Sequence, residues 1–72
     1  MKSFSIIGAG KVGVSLGLAL VSKGLRLKYI SDCNPDAARR AKKIIKTGKM
    51  TQDNRLATQA AEISFICVPD GL

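Results

Sequence analysis

Residues 5–13 read Ser5-Ile6-Ile7-Gly8-Ala9-Gly10-Lys11-Val12-Gly13, and the spacing of their three glycines decides the fold. An apolar run, Phe4 to Ile7, leads into the glycines, and a long apolar run with helical spacing leads out of them. Each glycine has its own expected task. Gly8 turns the chain out of a strand, because glycine alone takes positive φ without cost. Gly10 lets backbone lie against a pyrophosphate, and Gly13 lets the following helix press close to the sheet. That helix then points its free N–H groups and the positive end of its dipole at the phosphates.

Outward from this loop, the elements follow in a regular order. Ser3 to Ile7 is the first strand, and its apolar residues place it centrally in a parallel sheet covered on both faces. Lys11 to Lys23 is the first helix; only Lys11, Ser15 and Ser22 make a polar stripe, so it expects cover beyond the sheet. Gly17 within it costs about 1 kcal/mol of helix propensity, which close approach to a neighbouring backbone would offset. Gly24 ends the helix. Leu25 to Ser31 alternates, with Leu25, Leu27 and Tyr29 on one face and Arg26, Lys28 and Ile30 on the other. Asn34 then caps a second helix running from Pro35 to about Lys46, with Pro35 at its first position and Asp36 favouring its positive end. Ala37, Ala38, Ala41, Ile44 and Ile45 form its inward stripe, and Gly48 is expected to stop it. A short third strand around Lys49 to Thr51, a short helix capped by Asp53 or Asn54, and a strand from Ile63 to Val68 complete the chain.

The order β-α-β-α-β-α-β with short connections and right-handed crossovers predicts an α/β fold: a parallel sheet of order 3-2-1-4 with flanking helices. Asp32 ends the second strand nineteen residues after Gly13, where a dinucleotide fold of this kind places its ribose-binding carboxylate, ~20 residues on. Such a carboxylate accepts hydrogen bonds from the ribose hydroxyls and repels a 2′-phosphate. It therefore favours NAD, with NADP left possible. Cys33 beside it offers no cation, and Arg39 and Arg40 stand a turn further along, useful only if they reach back.

Three stretches together, Ile6 to Gly13, Asp32 to Ala38 and Ile66-Cys67-Val68-Pro69-Asp70, resemble the N-terminal domain of the 6-phosphogluconate dehydrogenase-like oxidoreductases. Within that group the chain is most similar to the pyrroline-5-carboxylate reductase, prephenate dehydrogenase and uncharacterised Rossmann-like branches. The resemblance spans essentially all 72 residues. It implies hydride transfer between a nicotinamide cofactor and a small substrate, with Gly8, Ala9, Gly10, Lys11, Val12 and Gly13 at the pyrophosphate. It further implies Asp32 and Cys33 at the adenosine ribose, and Val68 and Pro69 near the nicotinamide. Relative to that group, the last strands and a second, helical domain are missing. The expectation is thus a partial Rossmann fold: residues 1–72 form the N-terminal portion of a dinucleotide-binding domain, inactive by itself. The alternative from another class is a non-enzymatic dinucleotide-sensing module.

Composition agrees with a globular chain: 46% of residues are hydrophobic, 24% are charged and the net charge is +7. At this length the core supplies only about 3–5 kcal/mol of net stability. Six of the twelve basic residues (Arg39, Arg40, Lys42, Lys43, Lys46, Lys49) fall within eleven positions. They read as a solvated helix face, and without interleaved aromatics they do not suggest nucleic acid. The longest uncharged stretch, Val12 to Ser22, is too short to span a bilayer, and Cys33 and Cys67 lack metal-ligand spacing. A cytoplasmic location is expected, with no membrane partner. With no histidine in the chain and no base beside either cysteine, no catalytic residue is nominated. The fourth strand would have an unpaired edge and the first helix bare apolar side chains, so self-association is expected.

Overall fold

The computed structural model describes residues 2–67. Its elements are β1 (Ser3–Ile7), α1 (Lys11–Ser22), β2 (Arg26–Ser31), α2 (Pro35–Ile45), β3 (Lys49–Thr51), α3 (Asn54–Ala60) and β4 (Ile63–Ile66). The four strands form one parallel sheet in the order β3-β2-β1-β4. This is the half of a Rossmann sheet that the glycine spacing predicts. The ladder runs one bond past β4, where Cys67 N donates to Ile7 O at 2.7 Å. Val68, expected in that strand, lies outside the described residues.

Opposite register partners share a face of a parallel sheet, which sorts the side chains. Phe4 and Ile6 of β1 align with Leu27 and Ile30 of β2 and with Ile63 and Phe65 of β4. Together with Ala37, Ala38, Ala41 and Ile45 of α2 and Val14, Leu20 and Val21 of α1, they make the main core. Phe4 meets Phe65 edge to face, with ring centroids 6.1 Å apart, an arrangement the aromatic quadrupole favours. Ser3, Ser5, Ser31 and Ser64 point to the opposite face, which α3 covers through the buried Ala57.

Strict alternation in the second strand is not observed. Phe4 pairs with Leu27 but Ser5 pairs with Tyr29, so Lys28 is an extra residue in the ladder. Such a bulge shifts side-chain parity by one. It puts Leu27 and Ile30 on the same buried face and turns Tyr29 to the other. Burying both branched residues outweighs the lost ladder position.

Two helix details also differ from expectation. The left-handed residue ending α2 is Lys46, at φ 68°, and not Gly48. Gly48 is needed two positions later, where a Cβ would lie 2.8 Å from Leu27 Cγ. The Lys42 ammonium donates to the Gly48 carbonyl and holds this turn. Gly17 gives its room to side chains rather than to backbone: a Cβ there would meet Ile45 Cδ1 and Ile6 Cδ1 at 2.7 and 2.8 Å. Val12, at 71% exposure, and Leu18, at 43%, leave part of α1 bare, as its narrow polar stripe predicts. No described helix is long and apolar enough to cross a membrane.

Candidate dinucleotide site

The glycine loop joins the end of β1 to the start of α1. Gly8 stands at φ 101°, the left-handed region that a side chain resists. Its N–H still donates to Ser31 O at 2.7 Å, so the turn is pinned to the end of β2. Gly10 is the N-cap of α1, and its carbonyl accepts from Val14 N at 3.0 Å. Gly13 is buried beneath the loop. A Cβ there would stand 2.3 Å from Gly8 O and 3.1 Å from Ile6 Cγ2. Loop, helix and sheet therefore touch at Gly13, and only glycine permits the contact.

Gly10 is different in kind. Its φ of −79° suits any residue, and a Cβ there would meet nothing within 4 Å. Neither conformation nor packing within the described residues calls for glycine at this position. The helix it opens is also bare at its start: no side chain caps it and no acidic residue stands in its first turn. The other two helices are finished. Asn34 Oδ1 accepts from Asp36 N at 2.9 Å, and Asp53 Oδ1 accepts from Arg55 N and Leu56 N. The first-turn amides of α1 thus keep unpaired donors and the positive dipole end facing outward.

Asp32 lies beside this loop, as its spacing predicts, and it is engaged with backbone. Its Oδ2 accepts from Ala9 N at 2.7 Å and its Oδ1 from Asn34 N at 2.8 Å. One carboxylate therefore ties the glycine loop to the turn that starts α2. Each oxygen retains a lone pair for a further donor. Cys33 is exposed next to it, and its carbonyl accepts from Gln52 Nε2 at 3.0 Å, which braces this turn against the end of β3.

The structure thus brings Gly8 to Gly13, Asp32 and Cys33 together at one end of the sheet. Val68 and Pro69 lie outside the described residues. Beside the loop, Ala9, Gly10, Lys11, Val14, Ser15, Arg40 and Ile44 line a groove of about 580 Å³ between α1 and α2. Arg40, a turn further along α2 in sequence, does line this groove. Side chains on a helix lean toward its N-terminus, and that lean brings a residue in the second turn of α2 into the groove. Gln52 has no sequence signal at all, because its position depends on where β3 docks. An open loop with free amides, a nearby carboxylate and cations beside it has the donors and acceptors that a pyrophosphate and a ribose require.

The chain matches the family described as NADP oxidoreductase coenzyme F420-dependent over residues 3–71, and it belongs to that family. Among solved structures it is similar to that of a "putative NADP oxidoreductase" from Bacteroides fragilis, with a TM-score of 0.80 and 23% identity. The match covers 96% of this chain and 26% of the other, so this chain spans about a quarter of that protein's length. At that identity the likeness shows the fold. No curated protein matches the chain.

Proposed function

We propose that residues 1–72 are the cofactor-binding portion of an oxidoreductase that moves hydride between a nicotinamide dinucleotide and a small substrate. The observation that carries this reading is Gly10: a glycine that neither its φ nor its packing requires, at the open start of a helix with no side-chain cap. A ligand backbone in van der Waals contact with that Cα explains the residue, and pyrophosphate is the anion that such helix starts bind. Gly8 to Gly13 would hold the pyrophosphate. Asp32 would meet the adenosine ribose through its remaining lone pairs, with Cys33 beside it. The bound nicotinamide supplies the hydride chemistry. Membership of the oxidoreductase family supports this reading over a sensing module. The finer kinship with the pyrroline-5-carboxylate reductase and prephenate dehydrogenase branches rests on the motif residues alone, as does a place for Val68 and Pro69 near the nicotinamide.

The test uses the same glycine. Gly10→Ala should cost no more than about 1 kcal/mol of stability, the ordinary penalty of alanine at an N-cap, since φ and space both allow it. It should also weaken NADH or NADPH binding at least tenfold in a fluorescence titration. Equal binding by both proteins would refute the pyrophosphate assignment. The same reading includes association of the chain with itself. β4 pairs only with β1 among the described residues, and Ile66 beside that edge is 71% exposed. Sedimentation velocity should show dimers or larger species that disperse on dilution.

A further inference from the structure

The glycine loop follows the C-terminal end of β1, and a separate group of cations gathers at the other end of the sheet. Ser3 of β1 aligns with Arg26 of β2, and Ile7 aligns with Ser31. Arg26 therefore lies about 13 Å down the strands from the loop, at about 3.3 Å per register step. There Arg26, Lys28, Tyr29, Thr47, Gly48 and Lys49 line an open groove of about 410 Å³, with Ala60, the last residue of α3, also on its wall. Arg26 stands opposite Ser3, and Tyr29 stands opposite both Ser5 and Lys49. Register partners share a face, so these three side chains lie on the face that carries α3.

Three observations at this groove point to an anion. Among the described residues the ion pair is Arg39 with Asp36, and no carboxylate comes within ion-pair distance of Arg26, Lys28 or Lys49. Like charges around one groove repel until an anion lies between them. The bulge is the second observation. Lys28 is the extra residue in the ladder, and a bulge re-aims a side chain; here it adds a half-buried ammonium to the groove wall. The third is the turn before β3, with Lys46 at φ 68° and Gly48 at φ 88°. The N–H groups of Thr47 and Gly48 make no bond to backbone among the described residues, while the Lys42 ammonium holds the turn through the Gly48 carbonyl. Successive N–H groups in such turns form concave anion sites. The C-terminal end of α3 opposes an anion with about half a negative charge, which three formal positive charges outweigh.

We propose that the groove at the base of β2 and β3 is a second ligand site, which takes the phosphate group of a small molecule between Arg26, Lys28 and Lys49. Phosphate fits this lining because a guanidinium meets it through two parallel N–H bonds while ammonium groups add point charges. Tyr29 and Thr47 bring hydroxyl groups to the same wall. A nucleic-acid strand is disfavoured, since it calls for successive aromatic platforms and the groove holds one aromatic ring, Tyr29. The site shares no residue with the glycine loop, so it stands apart from the dinucleotide reading.

The experiment titrates the ¹⁵N-labelled 72-residue chain with inorganic phosphate and with ribose 5-phosphate at constant ionic strength, following each backbone amide by NMR. The amides of Lys28, Thr47, Gly48 and Lys49 should shift together and saturate. Equal affinity for the two probes would assign the site to free phosphate, and tighter binding of the ester would assign it to a phosphorylated metabolite; both support the proposal. Arg26→Ala and Lys49→Ala should each raise the half-saturating concentration about tenfold, as expected for one lost charged hydrogen bond. Lys43→Ala, which removes the same charge from the outer face of α2, should stay within twofold of wild type. Arg26 and Lys49 are exposed, so an unchanged unfolding curve shows that these variants are folded, and the wild-type shift map tests the site without any variant. Shifts that never saturate and that sodium chloride reproduces would reduce the groove to a diffuse ion atmosphere and overturn the proposal. Equal weakening by Lys43→Ala would overturn it as well. So would a short single-stranded oligonucleotide that saturates the same amides far below the phosphate concentrations, since the surface would then serve nucleic acid.

Discussion

The two faces of the sheet are held in different ways. Under α1 and α2 the strands present Phe4, Ile6, Leu27, Ile30 and Phe65, and the helices come close because Gly13 and Gly17 carry no Cβ. Under α3 the same strands present Ser3, Ser5, Ser31 and Ser64. There polar bonds are added to the apolar contact of Ala57: Ser31 Oγ donates to Asn54 Oδ1 at 2.5 Å, and Ser3 Oγ accepts from Glu62 N at 3.1 Å. Apolar contact stabilises in proportion to the area removed from water, whereas a hydrogen bond adds little net energy and much direction. The first face is where stability resides. The second fixes the position of α3 and the turns around it.

The sharpest challenge to this division is Gly13→Ala on the close-packed face. The new Cβ would fall 2.3 Å from a backbone oxygen, which cannot swing aside as a side chain can. A loss of about 3 kcal/mol is expected, as for severe overpacking, read by urea unfolding. Given so small a core, the cooperative transition should all but vanish at room temperature. Survival of the native melt would show that the loop and helix are not locked together. On the serine face, Ser31→Ala should cost only about 1 kcal/mol, but amide exchange along α3 should quicken well beyond what that loss predicts globally. Uniform quickening across the sheet would erase the distinction between the faces.

Ser5 sharpens the comparison with the opposite sign. It is fully buried and its Oγ has no hydrogen-bond partner among the described residues. Removing an unsatisfied hydroxyl relieves its desolvation, so Ser5→Ala should stabilise by about 1 kcal/mol in the same urea experiment. A destabilised variant would mean that the hydroxyl has a partner after all. The smallest effect concerns the cysteines. Cys67 packs against the apolar core, and burial pushes its thiol above the ordinary value of 9.0. At pH 8 it should react with iodoacetamide several times more slowly than the exposed Cys33, as mass spectrometry of timed samples would show. Because the folded value is the raised one, the unfolded thiol ionises first. Stability should therefore decline slightly as pH climbs past about 9 and through the folded value. Equal labelling rates would place Cys67 outside the packed face.

Much of the site is legible in the sequence because the glycine loop is a local object. Gly8, Gly10 and Gly13 act within six residues of chain, and their spacing carries the turn, the open helix start and the close packing together. Asp32 is legible as a position, through its distance from the loop. Its bonds to Ala9 N and Asn34 N are not, since they require β1 and β2 to pair in one particular register. Arg40 is legible as a member of a basic helix face, useful to the site only if it reaches back. Its place in the groove depends on how α2 lies against α1.

The sequence by itself determined the element order, the sheet order 3-2-1-4 and the loop at its centre. Periodicity, helix caps and glycine spacing are all set by neighbours a few residues away. Tertiary structure alone decided the bulge at Lys28, the left-handed turn at Lys46, the double use of the Asp32 carboxylate and the placing of Arg40 in the groove along α1. Each of these settles a competition between groups far apart in the chain. Burying Leu27 with Ile30 outweighs a regular ladder, and Leu27 fills the space beside Gly48, so that glycine serves the turn while Lys46 ends the helix. Such outcomes depend on which surfaces meet, and only the folded chain brings them together.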